Sequence, residues 1–154
     1  MSTNKIQNSA LTSRTTGISA ASINSAAGSL GSEIDLSASG ARDTNLILEL
    51  TCTLAATIAA GEPWYVWVIP DPAGDGSTYE VAAAALLARS PDAIFRCIAS
   101  ASAQNVAYGT GRPDQQILVP PCKFKLLLWN GTTKNGTTVT LRAYSFTLDI
   151  QAAA

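Results

Sequence analysis

The chain has 154 residues, a formal net charge of −1 and only 14% charged residues. This length suffices for one domain with a sandwich or barrel core, and the sparse charge excludes a nucleic-acid binder, which needs a clustered basic face. A mean hydropathy of +0.17 is high for a soluble monomer, so we expect the chain to bury surface against partner proteins.

Neither a membrane span nor a secretion signal is expected. The sequence contains no apolar run long enough for a transmembrane helix. Its first residues, MSTNKIQNSALTS, lack the apolar core of a signal peptide, which predicts a protein made in the cytoplasm. The three cysteines are odd in number and widely spaced, which predicts buried free thiols at Cys52, Cys97 and Cys122.

Residues 1–42 differ in composition from the remainder, residues 43–154. About a third of them are Ser or Thr, and their large apolar residues are isolated and aperiodic. Such a segment buries too little apolar surface to offset its ordering entropy. We therefore expect an extended arm, ordered by neighbouring chains, followed by a folded domain. The expected anchors of the arm are Ile6, Leu11, Ile18 and Ile23.

The first clear strand pattern covers Asn45–Thr57, where apolar and polar residues alternate as in a half-buried antiparallel strand. Trp64–Ile69 is apolar on both faces, which predicts a central strand covered twice. Pro70 and the Gly-rich residues after it end this strand. Val81–Arg89 favours one or two helical turns or a loop.

The second half of the chain continues with strand patterns. Asp92–Ser100 alternates as a strand, Ala101–Pro113 is expected to be a loop, and Gln115–Val119 a short strand. Lys123–Trp129 follows with a clear period of two. Thr137–Ile150 changes its apolar phase near Arg142, which predicts a β-bulge there or a strand that leaves one sheet for another.

These patterns predict an all-β fold, an antiparallel β-sandwich with an extended N-terminal arm. Many strands are separated by Gly, Pro and Asn turns, and helical periodicity is almost absent. A jelly roll is favoured over other Greek-key sandwiches. The predicted core comprises Leu46, Leu48, Leu50, Phe124, Leu126, Leu128, Val139 and Leu141.

The sequence gives little sign of catalysis. It contains no histidine, which excludes Ser-His-Asp and Cys-His arrangements. Asp71, Asp75 and Glu80 carry oxygen ligands in one loop, but their spacing is not that of an EF-hand, so a structural turn is favoured over a calcium site. We expect no enzymatic activity, no cofactor and no metal.

Three tryptophans stand out as interface candidates: Trp64, Trp67 and Trp129. Together with Tyr65 they suggest either core and interface packing, which is favoured, or a sugar-binding surface.

Three segments resemble small structural proteins of tailed bacteriophages: WYVWVIPDPAGDGSTYE, DAIFR and QQILVPPCKFKLLLWNGT. The segment Pro120–Lys125 is the most specific part. Cys122 stands where the pattern has Gly, and Trp129 and Ala82–Ala88 also depart from it. The resemblance implies a capsid decoration (cement) protein or a small tail component, with no catalytic residues.

From this resemblance we expect a homotrimer in the virion, made in the host bacterial cytoplasm. Its partners would be the major capsid protein or other virion proteins, with neither nucleic acid nor membrane bound. The alternatives are a tail or baseplate component and a carbohydrate-binding β-sandwich module.

Overall fold

The computed structural model describes residues 5–8, 12–36, 44–71, 88–98, 103–107, 117–119, 122–146 and 148–151. These residues form strands and connecting turns without a helix, and so include none long and apolar enough to cross a membrane. Most of Val81–Arg89 lies outside them, so the expectation for that stretch stays a prediction. The strands are β1 Lys5–Asn8, β2 Thr12–Ile23, β3 Gly28–Leu30, β4 Ile34–Asp35, β5 Asn45–Leu54, β6 Pro63–Asp71, β7 Ala93–Arg96, β8 Ala103–Ala107, β9 Ile117–Leu118, β10 Lys123–Asn130, β11 Gly136–Phe146 and β12 Leu148–Gln151.

Most of these strands belong to two antiparallel sheets. Sheet I has the order β3-β10-β6-β7, with β4 also paired to β10; sheet II has the order β2-β11-β5-β8, with β9 also paired to β5. Because β3 and β4 follow each other along β10, and β8 and β9 along β5, each pair forms one interrupted edge strand. β1 and β12 pair only with each other among the described strands.

The two sheets enclose a single apolar core, which confirms the predicted β-sandwich. Alternate residues of β5 point inward, and they share one buried cluster with inward residues of β6, β10 and β11. Alternation produces this layer because successive side chains of a strand point to opposite faces. All eight predicted core residues are at most 2% exposed: Leu46, Leu48, Leu50, Phe124, Leu126, Leu128, Val139 and Leu141.

The prediction for Trp64–Ile69 is also confirmed, because this central strand is covered on both faces. Val66 and Val68 belong to the core between the sheets. Trp67 and Ile69 are buried on the opposite face of sheet I, beside Leu127. The absence of alternation in this stretch therefore reflects its position between two apolar layers.

The prediction of an arm over residues 1–42 is wrong for residues 12–36. β2 is an edge strand of sheet II, and β3 and β4 form an edge of sheet I. Ile18 and Ile23 are buried in the chain's own core, so they are not anchors on a neighbour. The aperiodic sequence is compatible with strands here because β2 is bulged against β11, where its register shifts three times.

Two other connections differ in detail from the sequence-based expectations. Ala101–Pro113, expected to be a loop, contains β8, which is stabilised by pairing with β5 rather than by its own residue types. Thr137–Ile150 is divided into β11 and β12. The pairing of β11 with β2 shifts its register between Leu141 and Ala143, where a bulge was expected, although the pairing of β11 with β5 is continuous there. β12 pairs with β1 outside both sheets, as the alternative of a strand changing sheets predicted.

All three cysteines are free, as predicted, although Cys122 is only half-buried. Burial raises the pKa of the Cys52 thiol to about 12, with a smaller contribution from the nearby Cys97. Burial likewise raises the pKa of Cys97. Cys52 is thus a neutral core side chain and not a reactive thiolate at neutral pH.

Candidate functional site

An aromatic cleft lies on the face of sheet I that points away from the core. Tyr65 of β6 is directly opposite Trp129 of β10, and Trp67 is opposite Leu127. Because paired residues share a face, these side chains form one apolar layer, which also includes Ile69. The Tyr65 and Trp67 rings are 6.1 Å apart, with their planes tilted by 44°.

Two glycines allow the Tyr65 and Trp129 rings to lie close to the backbone. Gly28 of β3 pairs with Trp129, and a Cβ atom added there would lie 3.0 Å from the indole ring. A Cβ atom added to Gly131 would lie 2.6 Å from the Tyr65 ring. Both glycines therefore leave the space that each ring fills, so the two rings are held by packing.

The segment before β7 closes one side of the cleft. The Trp67 Nε1 group donates a hydrogen bond to the Arg89 carbonyl oxygen at 3.0 Å. Arg89 Nη2 donates to the Val68 carbonyl oxygen at 3.0 Å, and its partner Asp92 accepts from the Val68 amide at 2.7 Å. These bonds fix Arg89 and Pro91 beside the rings.

The resulting cleft has a volume of about 170 Å³ and is lined by Tyr65, Trp67, Arg89, Pro91 and Trp129. Three of its lining residues are aromatic, and the polar groups of the lining side chains are the Tyr65 hydroxyl, the two indole N–H groups and the Arg89 guanidinium. Such a site can bind a small group with one apolar face and polar edges. The described residues that line it include no carboxylate, thiol or imidazole.

The three tryptophans predicted as interface candidates occupy different environments. Trp64 is 1% exposed and lies in the core between the sheets, so it is not available to a partner. Trp67 is 2% exposed and forms the floor of the cleft. Trp129 is only half-buried and is the one tryptophan of the three with substantial access to solvent.

A second candidate site is the β1–β12 ribbon, formed by Lys5–Asn8 and Leu148–Gln151. Its register pairs Ile6 with Ile150 and Asn8 with Leu148. The ribbon follows the end of sheet II where Phe146, Asn45 and Leu118 are neighbours on β11, β5 and β9. Leu118 is 78% exposed there.

Of the two remaining predicted anchors of the arm, the structure describes one. Ile6 lies in β1, within the ribbon, whereas Leu11 lies outside the described residues. The sequence pattern missed that the ribbon also requires Leu148–Gln151. The apolar phase change in Thr137–Ile150 was an available signal, although it lies near Arg142 and β11 stays in sheet II as far as Phe146.

The acidic loop considered for calcium is described only in part. Asp71 is the last residue of β6 and is fully buried, with its backbone paired to Lys123. Asp75 and Glu80 lie outside the described residues. Within the described ranges, no three His, Cys, Asp or Glu side chains are grouped so as to hold a metal ion.

No protein-family model and no curated protein matches the chain. The resemblance to phage structural proteins therefore stays a prediction. Arg89 and Pro91, which sequence reasoning did not select, join the cleft only because the segment before β7 folds along β6. The two candidate sites available for a functional proposal are thus the aromatic cleft and the β1–β12 ribbon.

Proposed function

We propose that the chain is a non-enzymatic structural protein of a virion, and that it decorates the capsid by bridging subunits of the major capsid protein. The observation that carries this proposal is the β1–β12 ribbon, which pairs with no third strand among the described residues.

A two-stranded ribbon is marginally stable in water by itself. The described strands leave the outer edges of β1 and β12 without pairing, and unpaired edges bind other chains readily. In the ribbon the apolar pair Ile6 and Ile150 alternates with polar pairs such as Gln7 and Asp149. A protein surface that pairs with or covers this ribbon would supply the third partner that the described strands do not provide, which favours an assembly role.

The strand order supports the same proposal. When β3–β4 and β8–β9 are each counted as one strand, the described residues contribute eight strands to two sheets, β2-β11-β5-β8/β9 and β3/β4-β10-β6-β7. We infer that this order is the jelly roll that the sequence favoured. Jelly rolls occur in viral capsid domains as well as in lectins and cupins, so the ribbon is needed to choose among them.

In this role the mechanism is mechanical. Homotrimers seated where major capsid protein subunits meet would bury apolar area on both neighbours, and that burial would oppose the outward pressure of packaged DNA. The exposed Leu118 lies at the end of sheet II from which the ribbon departs. We propose that Leu118 and the ribbon form one contact surface.

The test compares the mass of the purified protein alone and with capsid shells built from the major capsid protein of the same genome. Deletion of residues 1–8 and, separately, of residues 148–154 is expected to weaken binding to the shells equally, because each deletion removes one strand of the ribbon. Leu118→Asp should weaken binding as well. Ile98→Asp is the matched control, since Ile98 is 68% exposed near the opposite end of the sandwich.

If only the deletion of residues 1–8 weakens binding to the shells, the contact is made by a single arm and not by the ribbon. Binding to isolated tails or baseplates, with none to shells, would favour the tail component instead. Unchanged binding after both deletions contradicts the proposal.

A further inference from the structure

We propose that the aromatic cleft of sheet I binds a neutral sugar ring. This inference does not rest on the assembly role, because the cleft and the ribbon are built from different strands: the cleft from β6, β10 and the segment before β7, and the ribbon from β1 and β12.

The rings of Tyr65 and Trp129 provide a preorganised platform. They are cross-strand neighbours on the outer face of sheet I, and each packs against the space left by a glycine, Gly131 and Gly28 respectively. A sugar ring has an apolar C–H face that packs on an aromatic surface, with hydroxyl groups around its edge. Rings that are already fixed lose little conformational entropy when such a ligand binds.

Polar groups of the lining side chains suit the hydroxyl groups of a sugar. Trp67 Nε1 already donates to the Arg89 carbonyl oxygen, which leaves Trp67 as an apolar floor. Among the described residues, neither Tyr65 Oη nor Trp129 Nε1 has a hydrogen-bond partner. The guanidinium of Arg89 uses Nη2 for its contacts with Val68 and Asp92, so its other N–H groups can donate to a hydroxyl oxygen.

The charge of the cleft favours a neutral ligand. Arg89 is the one charged residue among the described residues that line the cleft, and the Asp92 carboxylate, 3.4 Å from Nη2, balances that charge. An acidic sugar would therefore meet no unbalanced cation. A proline-rich peptide also packs on aromatic side chains, but it needs a groove several residues long, whereas this cleft is a single compartment of about 170 Å³.

The experiment titrates the full chain with methyl glycosides of glucose, galactose, mannose and N-acetylglucosamine. Binding is followed by ligand-observed NMR and by tryptophan fluorescence. At least one glycoside should bind, and Trp129→Ala should weaken its affinity by about tenfold or more, the scale of loss seen when one stacking aromatic ring is removed. Tyr144→Ala is the matched control, because Tyr144 is a half-buried tyrosine on the outer face of sheet II.

A second variant keeps the test valid if Trp129→Ala fails to fold. Tyr65→Phe retains the ring and removes only the hydroxyl group, so it should weaken sugar binding severalfold without changing the thermal transition. The proposal is overturned if none of the glycosides binds, if Tyr144→Ala weakens binding as much as Trp129→Ala does, or if a proline-rich peptide binds the cleft while the glycosides do not.

Discussion

At the scale of single residues, Glu62 joins two loops at one end of the sandwich. Its carboxylate accepts hydrogen bonds from the Thr133 amide at 2.6 Å, the Ala59 amide at 3.1 Å and the Thr133 hydroxyl at 3.2 Å. The Thr133 backbone bond is the main cause that lowers the pKa of Glu62 below its ordinary value of 4.5. Hydrogen bonds to the ionised form have this effect because they stabilise the carboxylate.

We therefore predict a pH-dependent effect of Glu62→Gln. Because the folded-state pKa lies below the unfolded value of 4.5, the charged carboxylate stabilises the fold above pH 4.5, and this stabilisation is lost as the pH falls through the folded-state pKa. At neutral pH the free energy of unfolding of the variant should be about 1 kcal/mol lower than that of the natural chain. The loss is small because the carboxylate lies near the surface. Urea denaturation over a pH series measures this difference in unfolding free energy. The prediction is refuted if the difference stays the same as the pH is lowered below 4.5.

At the scale of elements, Asn130 fixes the connection between β10 and β11. Its buried amide donates to the carbonyl oxygens of Ile23 at 3.1 Å and Lys134 at 2.9 Å. Its Oδ1 atom accepts from the Thr132 amide at 2.9 Å and the Thr132 hydroxyl at 2.7 Å. One side chain thus connects the end of β10, the following loop and the end of β2.

We predict that Asn130→Ala lowers the free energy of unfolding by about 2–3 kcal/mol, because it leaves buried donors and acceptors unpaired. Asn135→Ala is the control. Asn135 belongs to the same loop and accepts a hydrogen bond from the Ser25 amide at 2.9 Å, but it is exposed, so its loss should stay below about 1 kcal/mol. If urea denaturation gives the same loss of unfolding free energy for both variants, the buried hydrogen bonds of Asn130 contribute no more than an exposed one.

At the scale of the whole molecule, residues 12–36 belong to both sheets. β2 closes one edge of sheet II, and β3 and β4 close one edge of sheet I. Ile18 and Ile23 of β2 are buried with the residues of the other strands. The sandwich therefore depends on a segment whose composition suggested that it was separate from the folded domain.

This arrangement reverses what the arm prediction implies for truncation. An arm outside the core would let residues 1–25 be deleted without loss of the fold. The structure predicts instead that this deletion abolishes the cooperative thermal transition. The deletion exposes the core beside β11 and removes the two buried isoleucines of β2. Burial of each isoleucine contributes about 1.5–3 kcal/mol, which is a large share of a typical unfolding free energy of about 5–15 kcal/mol.

Deletion of residues 1–8 removes only β1 and is the matched control, with a thermal transition near that of the full chain. Calorimetry of both deletions distinguishes the two arrangements. A folded protein after removal of residues 1–25 would show that β2 is not part of the essential core.

Local sequence is enough to predict the strands in which apolar residues recur with a period of two. In β5 and β10, large apolar residues recur at every second position, so the choice of buried face needs only local information. The alternation of side chains between the two faces of a strand also places Trp64 and Trp67 on opposite faces of β6, because they are three positions apart. It also indicated a change of environment within Thr137–Ile150, which the pattern placed near Arg142, whereas β11 stays paired with β5 as far as Phe146.

The features that depend on strand pairing could be seen only in the folded protein. β2 and β8 contain mostly small or polar residues, and their strands form because β11 and β5 supply hydrogen-bonding partners and apolar cover. Alternation does not show which face of β6 becomes the core. It therefore could not show that Trp129, which is paired with Tyr65 on the outer face, is the accessible tryptophan. The aromatic cleft and the β1–β12 ribbon each join residues far apart in sequence, and such contacts are set by strand register, which no local pattern records.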